Sequence, residues 1–371
     1  MQPRPNIKIS APHSRRAFLG RLSALGLAGA LSACGRGERS VGGGNQPEDI
    51  AWLDTSTPEE LYAEASKEGS VLVYVSTPIP ILERLQSMWN EQYPDVRFES
   101  IRADQGESRN RFLTESRGGR HSADILAVDE VSELILSNEN LITPYRPPGI
   151  SLTPAAMTAA DSMVGVPWRG IGMGYAVNTS MVAEPPPSWD SLSRSGDLVV
   201  WPDPRAGGGA YDLFIRLYET FGADMLERMG ENLELRASVI AANEAFASGE
   251  FPVLVGAYHY LVKSAAASGN PVEFVVPRDG TNVYYTREAV ATNAAHPAAA
   301  RLYISFILSE TVQQFLTQEQ FFIPVNAEVA ASDPLTIALT DENLILMPQP
   351  DLKLYGETDQ WAETISSVFQ L

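Results

Sequence analysis

The glycine run Gly207-Gly208-Gly209-Ala210 precedes a helical pattern in which Leu213, Phe214, Leu217, Tyr218 and Phe221 share one stripe. Glycines at a helix start let a ligand approach backbone N–H groups that have no helical partner, and the helix dipole adds positive potential there. Arg205, just upstream, can contribute a charge-assisted hydrogen bond. A carboxylate, phosphate or phosphonate suits such a turn. Ser76 and Thr77 directly follow the apolar run Val71–Val75 and present hydroxyls at the carboxyl end of a strand, where open α/β sheets bind ligands. Tyr258-His259-Tyr260 supplies two phenols and an imidazole, suited to an oxidised metal, or else to stacking and packing. Arg169, beside Trp168, reads either as an anion ligand or as a surface hinge residue.

No catalytic residues are assigned. The chain has no Gly-x-Ser-x-Gly elbow, no His-Glu-x-x-His helix and no phosphate loop of the Walker type. After residue 33 the only histidines are His121, His259 and His296. Acidic residues are abundant, so a carboxylate pair is the one catalytic arrangement the sequence leaves open.

These groups need elements to hold them. Val71–Val75, Asp124–Val128, Leu198–Trp201 and Val253–Gly256 are short apolar runs of the kind expected for strands buried on both faces. Between them lie helical patterns: Pro80 opens one carrying Leu82, Leu85, Met88 and Trp89, and another runs through Arg109–Ser116. Pro297 starts a third with Leu302, Tyr303, Phe306 and Ile307 inward, and His296 marks its beginning. Strand–helix–strand alternation predicts an α/β fold with parallel strands. A second unit begins around Gly170–Asn178, and Glu273–Val276 and Val283–Tyr285 lead the chain back toward the first. Two α/β lobes are therefore expected: residues 51–168 with 284–330, and residues 169–283 with 331–371.

The amino terminus indicates where the chain works. Ser14-Arg15-Arg16-Ala17-Phe18-Leu19 precedes a mildly apolar stretch that ends in Leu31-Ser32-Ala33-Cys34. Paired arginines before a short apolar run make a twin-arginine export signal, although Gly20 stands where a lysine is common. The run Phe18–Ala33 is too short to span a bilayer, which takes about 20 residues, and Arg21 interrupts it. Small residues before the chain's single cysteine resemble a lipoprotein cleavage site, so residues 1–33 are read as the signal and Cys34 as the lipidated residue. Residues 34–50, rich in glycine and polar side chains, read as a flexible tether. The signal carries five Lys/Arg and no acid; residues 34–371 carry 22 Lys/Arg against 46 Asp/Glu, a net charge near −24. So acidic a body argues against nucleic acid and against docking on anionic lipid. A lone cysteine excludes an internal disulfide.

In this order the segments resemble the extracellular solute-binding proteins of ABC importers, in the branch that includes the ferric-iron-, phosphonate- and polyamine-binding proteins. The resemblance rests on Val71–Thr77, Ser122-Ala123-Asp124-Ile125-Leu126-Ala127-Val128-Asp129, Asn178, Trp201-Pro202-Asp203-Pro204-Arg205 before the glycines, Gly249-Glu250 before the strand ending in Tyr258-His259-Tyr260, and Pro277–Thr281 before His296-Pro297. It implies a two-lobed, hinged periplasmic-binding fold of type II, monomeric and without a required cofactor. Such a protein closes on a small ligand and passes it to permease subunits. It also implies that His259 and Tyr260 align with a tyrosine pair of the iron-binding relatives, and that Asp129 falls on a metal-binding acid. Ferric iron with a synergistic anion at Gly207–Ala210 is then one cargo, and a small organic anion or phosphonate the other. Pro78 or its neighbours stand where some relatives have a histidine ligand, and the tyrosine pair is broken by His259. An exported enzyme or a ligand-sensing receptor on the same scaffold is the alternative reading.

Overall fold

A computed structural model describes residues 50–332 and 358–371, except positions 104, 121, 155, 158–160, 162, 163 and 207. The arginine pair, Cys34, most of the tether, His121 and Gly207 thus lie outside the described residues. The chain opens with α1 (Pro58–Glu68), β1 (Ser70–Val75), α2 (Ile79–Gln92), β2 (Arg97–Arg102), α3 (Gln105–Arg117), β3 (Ile125–Val128), α4 (Glu130–Asn138) and β4 (Ile142–Thr143). Strand β5 (Val166–Asn178) comes next, then α5 (Trp189–Ser193), β6 (Val199–Pro202), α6 (Gly208–Phe221), α7 (Ala223–Gly230), β7 (Leu233–Arg236), α8 (Val239–Ala247), β8 (Val253–Tyr258), α9 (His259–Ala267) and β9 (Val272–Val275). Strand β10 (Asn282–Ala291) leads into α10 (Pro297–Ile307), α11 (Glu310–Gln318), α12 (Ala327–Ala330) and α13 (Thr358–Val368).

Local chemistry sets several of these boundaries. Thr57 and Glu60 form a reciprocal capping box at α1, Pro58 occupies its first turn, and Gly69 ends it at φ 82°. At α10, proline begins the helix and the Glu68 carboxylate accepts the N–H groups of Ala298 and Ala299 at 3.0 and 2.8 Å. His296 donates its backbone N–H to Asp124 and sets its Nδ1 2.9 Å from the same carboxylate, which also takes the N–H of Leu72. One buried acid thereby joins the starts of β1, β3 and α10.

The strands form a ten-stranded sheet in the order β2-β1-β3-β10-β5-β8-β6-β7, with β4 on β10 and β9 on β5. Pairs β1·β2, β1·β3, β6·β7 and β6·β8 are parallel, as the alternation of strands and helices requires. The sheet as a whole is mixed, because the strands outside these alternating units run antiparallel. Strand β10 returns antiparallel to β3 and β5, and β5 runs antiparallel to β8 and β9. All thirteen residues of β5 are buried. It serves two separate cores. Val166, Trp168, Ile171 and Met173 pack with Trp89, Phe98, Tyr303 and Phe306, whereas Tyr175 and Val177 pack with Trp201, Phe214, Trp361 and Phe369. The changeover falls between Met173 and Tyr175. Among the described residues no helix is long and apolar enough to cross a membrane.

Candidate ligand site

The parallel register of β1 and β3, with Val73 beside Ile125 and Tyr74 beside Leu126, runs their carboxyl ends out together. Ser76 and Thr77 leave β1 at the edge where Asp129 leaves β3. Ser76 is half-buried and Thr77 buried, with the Thr77 carbonyl accepting from Arg102 Nε at 3.0 Å. Asp129 caps α4: its Oδ1 accepts the backbone N–H of Ser132 at 2.6 Å. A carboxylate spent on a helix cap keeps only part of its acceptor capacity for a ligand.

Across the β10–β5 pair stands a second group, on β8, α6 and α9. Met173 of β5 is paired with Tyr258 at the end of β8. The Tyr258 phenol reaches the first turn of α6 and lies close against Gly209. A Cβ at Gly209 would collide with the Tyr258 hydroxyl and come within 2.8 Å of Met173 Sδ, so a side chain here requires both to shift. Of the other residues in the turn, Gly208 begins α6 and Ala210 is buried in the core. Burial first, then the charges of Tyr260 and Asp212, lift the Tyr258 phenol to about 12, against the smaller pull of the Gly209 N–H. Tyr260 is also lifted by burial, opposed by Arg169. Both side chains are therefore protonated phenols with an O–H to donate.

Two side chains expected at the site have partners within the protein. His259 is 0% exposed. Its Nδ1 accepts the N–H of Gly172 at 2.9 Å and its Nε2 lies against the carbonyl of Phe321. That fixes the Nε2–H tautomer and leaves neither nitrogen for a metal. The reason is positional: at the β8–α9 junction His259 is turned toward Gly172 and Phe321, away from the stack that its two tyrosine neighbours form. Arg205 is the second. It forks onto Asp203, with Nε 3.0 Å from Oδ1 and Nη2 2.7 Å from Oδ2, and a third nitrogen reaches Ser366 at 3.5 Å. Each partner's charged form is held by the other, Asp203 below and Arg205 above its ordinary range. The guanidinium serves its own carboxylate and not the helix start. Among the described residues no three His, Cys, Asp or Glu are grouped to hold a metal.

Arg169 is no surface residue. Its Cζ lies 4.3 Å from the ring centre of Trp168 and 4.4 Å from that of Phe322, and Nε donates to Thr286 at 3.1 Å. Phe322 in turn packs on Tyr260 at 4.5 Å between ring centres, and Tyr260 stacks on Tyr258 at 6.2 Å. A ladder of flat groups thus runs from β5 to the start of α6. Sequence reading missed Phe322, and it missed Asn282, whose Nδ2 donates to Asp212 of α6 at 2.6 Å while Arg216 binds the same carboxylate. A signal existed: polar and charged residues at 282, 287 and 288 interrupt an otherwise apolar strand. A surface groove of about 830 Å3 along α3, lined by Glu107, Asn110, Arg111 and Arg120 among others, touches none of these residues.

Residues 123–339 match the family model of the bacterial extracellular solute-binding proteins. An uncharacterized protein of Haemophilus influenzae is 25% identical over 315 residues, covering 80% of this chain and 88% of its own. Among solved structures, the substrate binding protein of an ABC transporter from Agrobacterium tumefaciens superposes with a TM-score of 0.67 at 18% identity, covering 80% of this chain and 94% of its own. The periplasmic binding protein AfuA of Actinobacillus pleuropneumoniae, solved with exogenous fructose-6-phosphate bound, gives 0.64 at 21% identity and covers 82% and 99%. These neighbours are two-lobed periplasmic binding proteins, and this chain has their fold.

Proposed function

We propose, for a chain that belongs to the bacterial extracellular solute-binding protein family, that its cargo is a small organic anion carrying a phosphate or carboxylate group. The family consists of substrate-binding components of transport systems, which capture a solute outside the cytoplasm and present it to ABC permease subunits. What carries the reading of the cargo is the start of α6. The Tyr258 phenol lies close against Gly209 there, so an arriving anion meets a helix N-terminus and a protonated phenol together. Stacked Tyr258 and Tyr260 offer flat surface to the organic part of such a solute. AfuA, which has the same fold, was solved with a phosphorylated sugar.

Ferric iron has less support. His259 is spent on backbone, Asp129 caps a helix, and burial opposes ionisation of both tyrosines. Closure of two lobes about β5 and β10 would bring the Ser76–Thr77–Asp129 edge against the bound solute, since the cleft-side ends of β3 and β8 flank that strand pair. Twin-arginine export and a lipid on Cys34 belong to the same reading and would hold a monomer at the outer face of a membrane. Transport by an adjacent permease, as opposed to sensing or catalysis, is the role proposed.

The test is a thermal-unfolding panel with hexose phosphates, phosphonates, di- and tricarboxylates, spermidine and ferric citrate. A native-state ligand at about 100 times its Kd stabilises by about 2.7 kcal/mol, a rise in Tm readily resolved. A rise with phosphorylated or carboxylated solutes supports the proposal. A rise confined to spermidine or iron overturns it.

A further inference from the structure

Arg169 and Glu288 stand on the two strands that join the halves of the sheet. Arg169 of β5 is paired with Thr286 of β10, and Glu288 lies two residues further along on the same face. Arg169 is 4% exposed and Glu288 1%. The guanidinium is layered between Trp168 and Phe322, and among the described residues its Nη1 has no hydrogen-bond partner. Oε2 of Glu288 has none either. Each feels the other's charge, yet the two are not in ion-pair contact.

A buried cation without a carboxylate, beside a buried carboxyl without a cation, is an arrangement with a second state close at hand. Burial is the leading influence on both groups, lowering the guanidinium to about 10 and raising the carboxyl to about 8. The other groups facing Glu288 are Ala127 of β3 and Val166 of β5, and the Tyr303 phenol of α10, itself pushed up by burial. Arg169 is faced in addition by Tyr260 of α9 and Tyr284 of β10. The observed stack is the arrangement that suits a neutral Glu288.

We propose that Arg169 and Glu288 form a proton-operated latch between β5 and β10: a neutral carboxyl leaves the guanidinium in its aromatic sandwich, and an ionised one draws it out into an ion pair. The proton leaves for bulk water, and no other bond is made or broken apart from hydrogen bonds. Withdrawal of the guanidinium frees Phe322, on which Tyr260 rests, and so loosens the aromatic wall that ends at Tyr258. Capture of solute and the protonation of a hinge carboxyl are thereby linked.

The latch is tested on the full-length chain with no solute added, so its outcome is independent of the proposed cargo. Protein labelled with nitrogen-15 in arginine and carbon-13 in glutamate carboxyls is titrated from about pH 6 to about pH 9.5. The Nε–H resonance of Arg169, identified by its loss in Arg169→Lys, is expected to shift with a single midpoint near 8. One carboxyl signal and the Trp168 contribution to fluorescence, isolated with Trp168→Phe, should show the same midpoint. In Glu288→Gln all three transitions should vanish. A carboxyl that titrates while Arg169 and Trp168 stay constant overturns the latch, as does the absence of any carboxyl titrating in this range. The parent protein's own signals decide the matter if Glu288→Gln does not fold.

Discussion

The hydroxyl of Tyr258 lies close against Gly209, so the end of β8 and the start of α6 meet at the point where an anion would bind. A neighbouring phenol commonly competes with a ligand for the N–H groups of a helix start. Here it keeps its own proton, because burial holds it near 12, and can donate it beside the positive end of the helix.

Replacing Tyr258 with Phe should therefore weaken anion binding by about tenfold, the loss of one charge-assisted hydrogen bond. The ring remains to stack on Tyr260, so the melting temperature without solute should stay within a few degrees of the parent. Calorimetric titration with the best stabiliser from the thermal panel measures the first, and differential scanning calorimetry the second.

Gly209→Ala acts more severely. The new methyl has to displace the Tyr258 hydroxyl and press on Met173 Sδ, backed by the buried pairing of β5 with β8. We expect about 1–3 kcal/mol of destabilisation from overpacking, together with loss of binding. Urea denaturation monitored by circular dichroism checks the stability, and a Gly209→Ala protein as stable as the parent would count against the close approach described.

Arg205→Ala separates the fork from the ligand site. Since Arg205 is engaged by Asp203 and partly exposed, its removal should cost no more than about 1 kcal/mol and leave solute affinity within about twofold. A large fall in affinity, measured by calorimetry, would return Arg205 to the anion site.

His296 makes the stability of the protein depend on pH. Its hydrogen bond to Asp124 is the leading cause that raises it, and its partial burial opposes this. A histidine that binds its proton more tightly when folded contributes stability fully present below the unfolded value of about 6.5. That contribution is lost as pH rises through the folded value. The urea midpoint of the parent should fall relative to that of His296→Gln between about pH 6.5 and the folded value. Parallel pH profiles for the two proteins would contradict this.

Much of this was legible in the sequence, and the misses share a cause. Val71–Val75 and Asp124–Val128 read as buried strands because burial on both faces leaves a continuous apolar run, and Pro297 announced α10 because proline lacks the N–H that a first turn does not need. The antiparallel return of β10 was not legible, since which strands pair depends on chain far apart in sequence. The same holds for individual side chains. Tyr258-His259-Tyr260 reads as one constellation, but the junction of β8 with α9 turns His259 toward Gly172 and Phe321, 87 and 62 residues away along the chain. Arg169 read as either an anion ligand or a surface hinge residue, because its aromatic neighbour Phe322 is remote in sequence. Composition gave an acidic exterior, and it could not reveal an uncompensated cation inside.

The nature of the solute at the start of α6 is the central claim. Isothermal titration of fructose-6-phosphate and citrate, and separately of ferric nitrilotriacetate, into the full-length chain with visible absorbance recorded, tests it most directly. We expect saturable heat from at least one of the two organic anions, suppressed by inorganic phosphate, with no heat and no tyrosinate-to-iron band from the ferric complex. Saturable binding of the ferric complex with a visible band, and none from either organic anion, would contradict it.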